Sequence, residues 1–323
     1  MQSSSNKKVS IVIVTSGAGA YLEPCLESLK NQSYCAHEVI VINNSPDPDF
    51  GRRILKQHPQ VRLYSPSEKP DYTGCLNKGI MASAGDFILC LNDDVTLDER
   101  FIEKSLSGFS VDEKVGMVSG RILRQDRVTI DSTGLFLTPW RSAKERAYGK
   151  RDRGQFKDNG YIFGVNGAVA FYRKSMLEAI KLGPDYFDTD YHFFYEDLDI
   201  AWRAQRFGWK GYYIPAALAY HVRGGTARKQ AGIGKPYARR YLNTSLQLDL
   251  LKNRYLTIIK NERLGDFLLH LPFILCYDIL TLAYALFSRP ILIIKLFSIS
   301  GYLGSAFNKR RIIKLMRPGY IKK

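Results

Sequence analysis

Short runs of β-branched residues alternating with helical stretches fill the first 110 residues, and no other feature constrains the fold of this chain as tightly. Val9-Ser10-Ile11-Val12-Ile13-Val14, Glu38-Val39-Ile40-Val41-Ile42, Val61-Arg62-Leu63-Tyr64 and residues 86–91 each read as a short strand. Between them, residues 20–30 place Leu22, Leu26 and Leu29 on one helical face, and 50–57 and 76–83 also read as helices. That alternation predicts an α/β protein with helices on both faces of a largely parallel sheet. Parallel sheets bind ligands at the carboxyl ends of their strands. Three polar strand ends share that location here: Thr15-Ser16, Asn43-Asn44-Ser45 and Asn92-Asp93-Asp94.

The last of these is the most informative. Paired carboxylates where a buried strand leaves the sheet suit a divalent cation that shares its coordination with phosphate oxygens. An Asx-rich turn that merely ends the strand is the competing explanation, and the cluster alone leaves the two even. A second acidic cluster, Glu196-Asp197-Leu198-Asp199, follows the aromatic run His192-Phe193-Phe194-Tyr195. Acidic residues in a first helical turn are ordinary partners of the helix dipole. Adjacent carboxylates beside apolar rings are more than that, because such surroundings favour the neutral form and suit a group that must accept a proton. His221, just past a short strand and followed by Arg223-Gly224-Gly225-Thr226, is the third candidate, for a ligand role.

Several classes are disfavoured. The glycines after the first strand do not complete a dinucleotide fingerprint, since Leu22 stands where the third glycine belongs and Asn43-Asn44 where an acidic residue should end the second strand. A phosphate-loop lysine motif is absent. The five cysteines form no C-x-x-C pair, which fits reduced thiols and neither a disulfide frame nor a zinc site. Residues 9–14 are too short for a secretory core and read as a strand, so secretion by that route is not expected. A formal charge of +16 calls for an anionic partner. Nucleic acid is not the expected one, because no reading motif accompanies the charge.

The motifs Val9 to Thr15, Val39-Ile40-Val41-Ile42-Asn43-Asn44-Ser45, Asn77-Lys78-Gly79, Leu91-Asn92-Asp93-Asp94 and Glu196-Asp197 occur in the order seen in glycosyltransferase family 2. Residues 164–173 (GVNGAVAFYR), 194–203 (FYEDLDIAWR) and His221-Val222-Arg223-Gly224-Gly225 resemble the rhamnosyltransferase-like branch that builds bacterial cell-surface polysaccharides. The resemblance spans roughly residues 9–226. It implies a GT-A (Rossmann-like) fold and an inverting, metal-dependent transfer of a sugar from a dTDP- or UDP-sugar to a saccharide or lipid-linked saccharide acceptor. It also implies roles: Thr15, Asn43, Asn44 and Asn77 on the nucleotide side, Asp93 at the ribose or metal, and Asp94 on a Mg2+ or Mn2+ ion. His221 completes the metal site, and Asp197 is the catalytic base, with Glu196 beside it. Asn92 stands where the family often carries the first Asp of D-x-D, and Asn43-Asn44 where an Asp commonly reads the base, which leaves uracil or thymine open. A catalytically inactive sugar-binding partner in assembly is the alternative reading.

This divides the chain into a catalytic domain at 1–226, with a nucleotide-sugar half at 9–110 and an acceptor half at 111–226, and a helical, basic region at 227–323. Residues 141–157 form a basic stretch without periodicity, expected to be mobile or ordered by ligand. Residues 267–287 approach a membrane span in length, yet Asp278 near the middle would cost roughly 3 kcal/mol in hydrocarbon. His270, Tyr277, Asp278, Thr281 and Tyr284 gather on one side, which favours a helix lying in the interface or paired with residues 290–307. Seven Lys and Arg residues after Asn308 would face anionic lipid. The expected place is the cytoplasmic face of the membrane, held peripherally; pairing of two copies is left open.

Overall fold

The computed structural model describes residues 7–17, 20–68, 70–223 and 242–316. The N-terminal third contains β1 (Val9–Thr15), α1 (Leu22–Lys30), β2 (Glu38–Asn43), α2 (Phe50–Gln57), β3 (Arg62–Tyr64), α3 (Tyr72–Ala82), β4 (Phe87–Asn92), β5 (Val95–Leu97) and α4 (Phe101–Gly108). The middle adds β6 (Val115–Arg124), β7 (Ile130–Ser132), β8 (Leu135–Leu137), β9 (Ala143–Glu145), β10 (Gly160–Ile162), β11 (Val169–Arg173), α5 (Lys174–Ile180), α6 (Glu196–Arg206) and β12 (Lys210–His221). Four helices close the chain: α7 (Thr244–Asn261), α8 (Leu264–Ser288), α9 (Ile291–Leu296) and α10 (Ser300–Met316). The expected linker with Gly224-Gly225-Thr226, and with it the boundary near residue 226, lies outside the described residues, as do Arg317, Lys322 and Lys323.

The strands form a 10-stranded sheet whose main path runs β10-β12-β6-β11-β4-β1-β2-β3. The half from β4 to β3 is parallel, as the alternation predicts. β11 then enters antiparallel to both β4 and β6, so the whole sheet is mixed. Residues with period two divide between the faces: Val9, Ile11 and Ile13 pack with α1 and α4, while Val12 packs with α3 on the other side. Each such fully buried aliphatic side chain contributes about 1.5–3 kcal/mol. Helix α3 lies very close to β1, because a Cβ on Gly79 would sit 2.3 Å from Val12 Cγ1. Glycine is required there by packing.

The basic stretch 141–157 is ordered by the protein itself. It contains β9, which pairs antiparallel with β8, and buried Arg141 and Ser142 at the hairpin tip. Its lack of hydrophobic periodicity reflects charged side chains that find partners: Arg141 Nε pairs with Glu262, and the Arg146 guanidinium lies over Phe136, Phe156 and Tyr213.

Helix α7 is unlike an apolar helix. Its buried face carries Asp249, Lys252, Asn253, Arg254, Thr257, Lys260 and Asn261. Lys260 is fully buried between Asp188 and Asp199, with Asp199 Oδ1 at 2.9 Å. Arg203 donates to Asp199 Oδ2 at 3.0 Å, and Lys309 of α10 pairs with Asp188 at 2.5 Å and Asp190 at 2.6 Å. Three carboxylates therefore meet three cations, and the C-terminal helices are fastened to the 186–199 segment by charge. Lys309 and Arg310, expected to face lipid, are instead turned inward; Arg310 donates to the Ile259 carbonyl.

Removing one partner of such a network leaves a buried charge uncompensated. Lys260→Met should lower unfolding stability by about 3–5 kcal/mol, read from the denaturant midpoint. Adding Asp188→Asn in the same chain should recover part of that loss, because the two sites are directly coupled.

Candidate active site

Sheet register builds the first cluster. β2, β1 and β4 are neighbours, so Thr15, Asn43 and Asn92-Asp93-Asp94 end at one edge. β12 pairs antiparallel with β5, and His221 lies opposite Val95, beside Asp94. On its other side β12 pairs with β6, which sets Arg124 opposite His221. β7 pairs with β6 and delivers Asp131 beneath the histidine.

His221 Nε2 is 3.2 Å from Asp94 Oδ1, and its Nδ1 is 2.9 Å from Asp131 Oδ2. Burial alone would lower the imidazole pKa, but the bonds to Asp131 and Asp94 outweigh it and raise it to about 9. Asp131 is buried too, yet the His221 bond and the Arg223 charge hold it down at about 2. Asp94 and His221 suit a divalent cation: adjacent ligand atoms around such an ion lie about 3 Å apart, and a carboxylate on the far imidazole nitrogen orients the ring. Binding there would displace the imidazole proton. Asp93 adjoins this pair. Its burial raises its pKa to about 6, against the Thr15 hydrogen bond and with the Asp94 charge.

The two asparagines at the end of β2, expected on the nucleotide side, differ in their bonding. Asn44 donates to the Pro70 carbonyl at 3.0 Å, while its Oδ1 is buried without a partner among the described residues. An unpaired buried acceptor is what an N–H of a bound base would satisfy. Asn43 donates to Ser65 Oγ and accepts from the Ser45 amide, so it holds the loop after β2. That loop needs Gly17 opposite, with φ +71°, where a Cβ would meet Ser45 Oγ at 2.4 Å. Asn77 corrects the expectation of a place on the nucleotide side. It is buried on α3, donates to the Phe187 carbonyl and accepts from the Tyr186 and Phe187 amides, three of its four positions. Its role is to hold the 186–187 segment.

The second cluster sits at the start of α6. Asp197 Oδ2 accepts from the Gly167 amide at 3.2 Å and Oδ1 from Leu198 at 2.7 Å. Glu196 Oε2 is buried with no partner among the described residues. Burial and mutual repulsion raise Glu196, and burial raises Asp197 against its two amide bonds. Glu145, at the end of β9, is a third acid here. Ser132 and Asn166 donate to it, and burial together with the Asp197 charge raises it to about 8. The two clusters meet at the 166–168 turn, where Gly167 binds Asp197 and the Ala168 carbonyl accepts from the Asn92 amide at 2.9 Å. Tyr72 closes the gap by donating to Asn92 Oδ1 at 2.7 Å. Its burial, with Glu196, Asp197 and Asp94 nearby, raises its pKa well above the usual value, so it stays a donor.

Sequence reasoning missed Asp131, Glu145 and Tyr72. Glu145 had a signal, as the only acid between Asp131 and Asp152 in a strongly basic stretch. Asp131 and Tyr72 had none, because their roles depend on pairings across the sheet. The backbone before Glu196 is also unusual: Phe194 and Tyr195 both have positive φ, +70° and +71°, which costs of order 1–3 kcal/mol each. Asn253 of α7 holds that turn by donating to the Phe193 and Phe194 carbonyls at 2.7 and 2.8 Å.

A mixed sheet with acidic clusters at its carboxyl edge is the GT-A-like architecture of nucleotide-sugar transferases. The family model for glycosyl transferase family 2 matches residues 10–181, just over half of the chain, and the chain belongs to that family. The chain is 24% identical over 208 residues to the poly-beta-1,6-N-acetyl-D-glucosamine synthase of Staphylococcus aureus (strain COL), covering 62% of this chain and 46% of that protein. It is 21% identical over 221 residues to the synthase of the same name from Staphylococcus epidermidis, covering 66% and 49%. The chain thus spans about half the length of the curated relatives it matches. The solved structure of GalNAc-T7 with UDP, GalNAc and Mn2+ superposes with a TM-score of 0.59 at 15% identity, over 79% of this chain and 48% of that one. At that identity the likeness concerns the fold.

Because the native pKa of Glu196 lies above its unfolded value near 4.3, the native state binds the extra proton. Stability is lost as pH rises through that interval and is not regained above it. Glu196→Gln should therefore raise Tm by about 2 °C or more at pH 9 and leave it unchanged at pH 4, measured by calorimetry.

Proposed function

We propose that this chain is a metal-dependent, inverting glycosyltransferase that moves a sugar from a nucleoside diphosphate to a saccharide or lipid-linked saccharide acceptor during surface-polysaccharide assembly. The observation that carries this reading is the meeting of the two acidic clusters at the 166–168 turn. One cluster suits the leaving group and the other suits the attacking hydroxyl. Asp94 and His221 would hold a Mg2+ or Mn2+ ion, and Thr15, Asn44 and Asp93 would face the nucleoside. The ion, when bound, neutralises charge developing on the departing diphosphate. Asp197, fixed by the Gly167 and Leu198 amides, takes the proton of the acceptor hydroxyl as its oxygen bonds to the anomeric carbon and the bond to the diphosphate breaks. Glu196, with its unsatisfied oxygen, accepts a second hydroxyl of the acceptor.

Branch resemblance favours rhamnose from a thymidine diphosphate donor. The names of the staphylococcal relatives favour N-acetylglucosamine as the sugar, so nucleotide donors of both sugars belong in the first screen. Peripheral attachment to the cytoplasmic face of a membrane is part of the reading. Leu268, Leu269, Phe273, Leu275, Ile279, Leu280 and Phe287 of α8 are exposed, with 11% of its most apolar window buried. Leu282, Ala283 and Leu286 of α8 face Ile293 and Leu296 across a groove of about 470 Å³, a shape suited to a lipid chain.

A screen of nucleotide sugars for nucleoside diphosphate release, with a polyprenyl-linked saccharide as acceptor, tests this. Release should require a divalent cation and stop with EDTA. Asp197→Asn should lower acceptor-dependent turnover by about 10²–10⁴-fold while donor affinity changes little. Normal turnover in that variant would remove Asp197 as the base.

A further inference from the structure

Beside the two acidic clusters lies an aromatic surface that the proposed chemistry leaves unused. Phe193 is 49% exposed, three residues before Glu196. Its ring stacks on Tyr72, with centroids 6.0 Å apart and planes 20° apart. Tyr72 in turn binds Asn92, so the stacked pair stands on the partition between the two acidic clusters. The edges of the pair are polar. His192 Nε2 lies 3.5 Å from Asp71 Oδ2, His192 Nδ1 lies 3.6 Å from Asp249 Oδ1, and Asp71 is exposed.

Resting on the glycosyl-transfer reading, we propose that Phe193, backed by Tyr72 and flanked by His192 and Asp71, is the floor of a pyranose subsite for the acceptor saccharide. A pyranose has a face of C–H groups and a rim of hydroxyls. The C–H face packs on an electron-rich ring, and the rim hydroxyls bond to carboxylate and imidazole. A lipid chain or apolar peptide would strip water from the Asp71–His192 pair and offer nothing to the carboxylate's remaining lone pairs. A nucleobase is served elsewhere, by the unpartnered Asn44 oxygen beyond Thr15. The platform is also pre-organised. Asn253 holds the Phe193 and Phe194 carbonyls, and the left-handed turn at Phe194 and Tyr195 fixes the ring relative to Glu196. Little ordering then remains to be done when the sugar arrives.

The full chain is tested with the donor turned over by wild type and with octyl glycosides of rhamnose, glucose, galactose and N-acetylglucosamine as acceptors, reading acceptor-stimulated nucleoside diphosphate release. Phe193→Ala should raise the half-saturating acceptor concentration about tenfold, with donor half-saturation shifted less than twofold. Phe193→Trp and Phe193→Tyr should restore acceptor affinity, whereas Phe193→Leu should not. In saturation-transfer NMR, glycoside ring C–H signals should weaken in Phe193→Ala. Equal half-saturation in wild type and Phe193→Ala overturns the subsite while glycosyl transfer stands, and so does wild-type behaviour of Phe193→Leu. Absence of release by wild type from every donor overturns the glycosyl-transfer reading and the subsite with it.

Discussion

Lys260 is the side chain on which the 186–199 segment depends. Its ammonium sits between Asp188 and Asp199, fully removed from water, over the ring of Tyr191 at 4.4 Å. Asp188 also meets Lys309 and Asp199 also meets Arg203, but Lys260 is the cation the two share, and losing it leaves their buried negative charge under-compensated. Asp199 lies two residues beyond Asp197 on α6, and Asp188 begins the loop that leads to Phe193. The same ammonium therefore sets both the helix that presents the candidate base and the loop that precedes it. Hydrophobic burial alone would have allowed α7 to slide; a charge with two fixed partners does not.

That rigidity explains how a costly site persists. Glu196, Asp197 and Glu145 all have raised pKa values, so burial there opposes charge where charge is needed. Two consecutive residues in left-handed backbone add conformational cost. Part of the compensation comes from α7 and α10, through Asn253, Lys260 and Lys309. The C-terminal helices thus act on the chemistry by holding a strained turn, without touching the metal-side cluster.

What was legible in the sequence divides along the same physical line. Strands β1 to β4 and helix α2 fell within a residue or two of expectation, because alternation and turn residues are local signals. Helix α3 starts at Tyr72, four residues before the periodicity suggests, since Asp71 and Tyr72 show no apolar face. The acid pairs at 93–94 and 196–197 were readable as motifs, and the 166–168 turn bonds to the segments that carry both. Asp131 was not, because only β7 pairing with β6 carries it under His221. The buried face of helix α7 was not legible, as a helix that buries Lys260, Asn253 and Arg254 has the composition of a solvated one. Hydrophobic periodicity cannot report a face that is buried by ion pairs.

The same reasoning turns helix α8 around. Its polar side, with His270, Tyr277 and Asp278, is the side that docks on the protein. Asp278 Oδ1 accepts from Arg254 at 2.5 Å, Tyr277 stacks on Trp140, and His270 Nδ1 lies 3.0 Å from Arg141 Nη2. A helix crossing a bilayer alone would leave Asp278 without a partner; here the charge is answered by α7, and the apolar side is left outward. Trp140 and Arg141 are the tip of the β8–β9 hairpin, whose other end carries Glu145 into the acidic cluster. The exposed apolar surface and the acceptor-side carboxylates are consequently two ends of one short, rigid hairpin. Any surface that α8 rests on is thereby held at a fixed distance from the Glu145–Asp197 cluster.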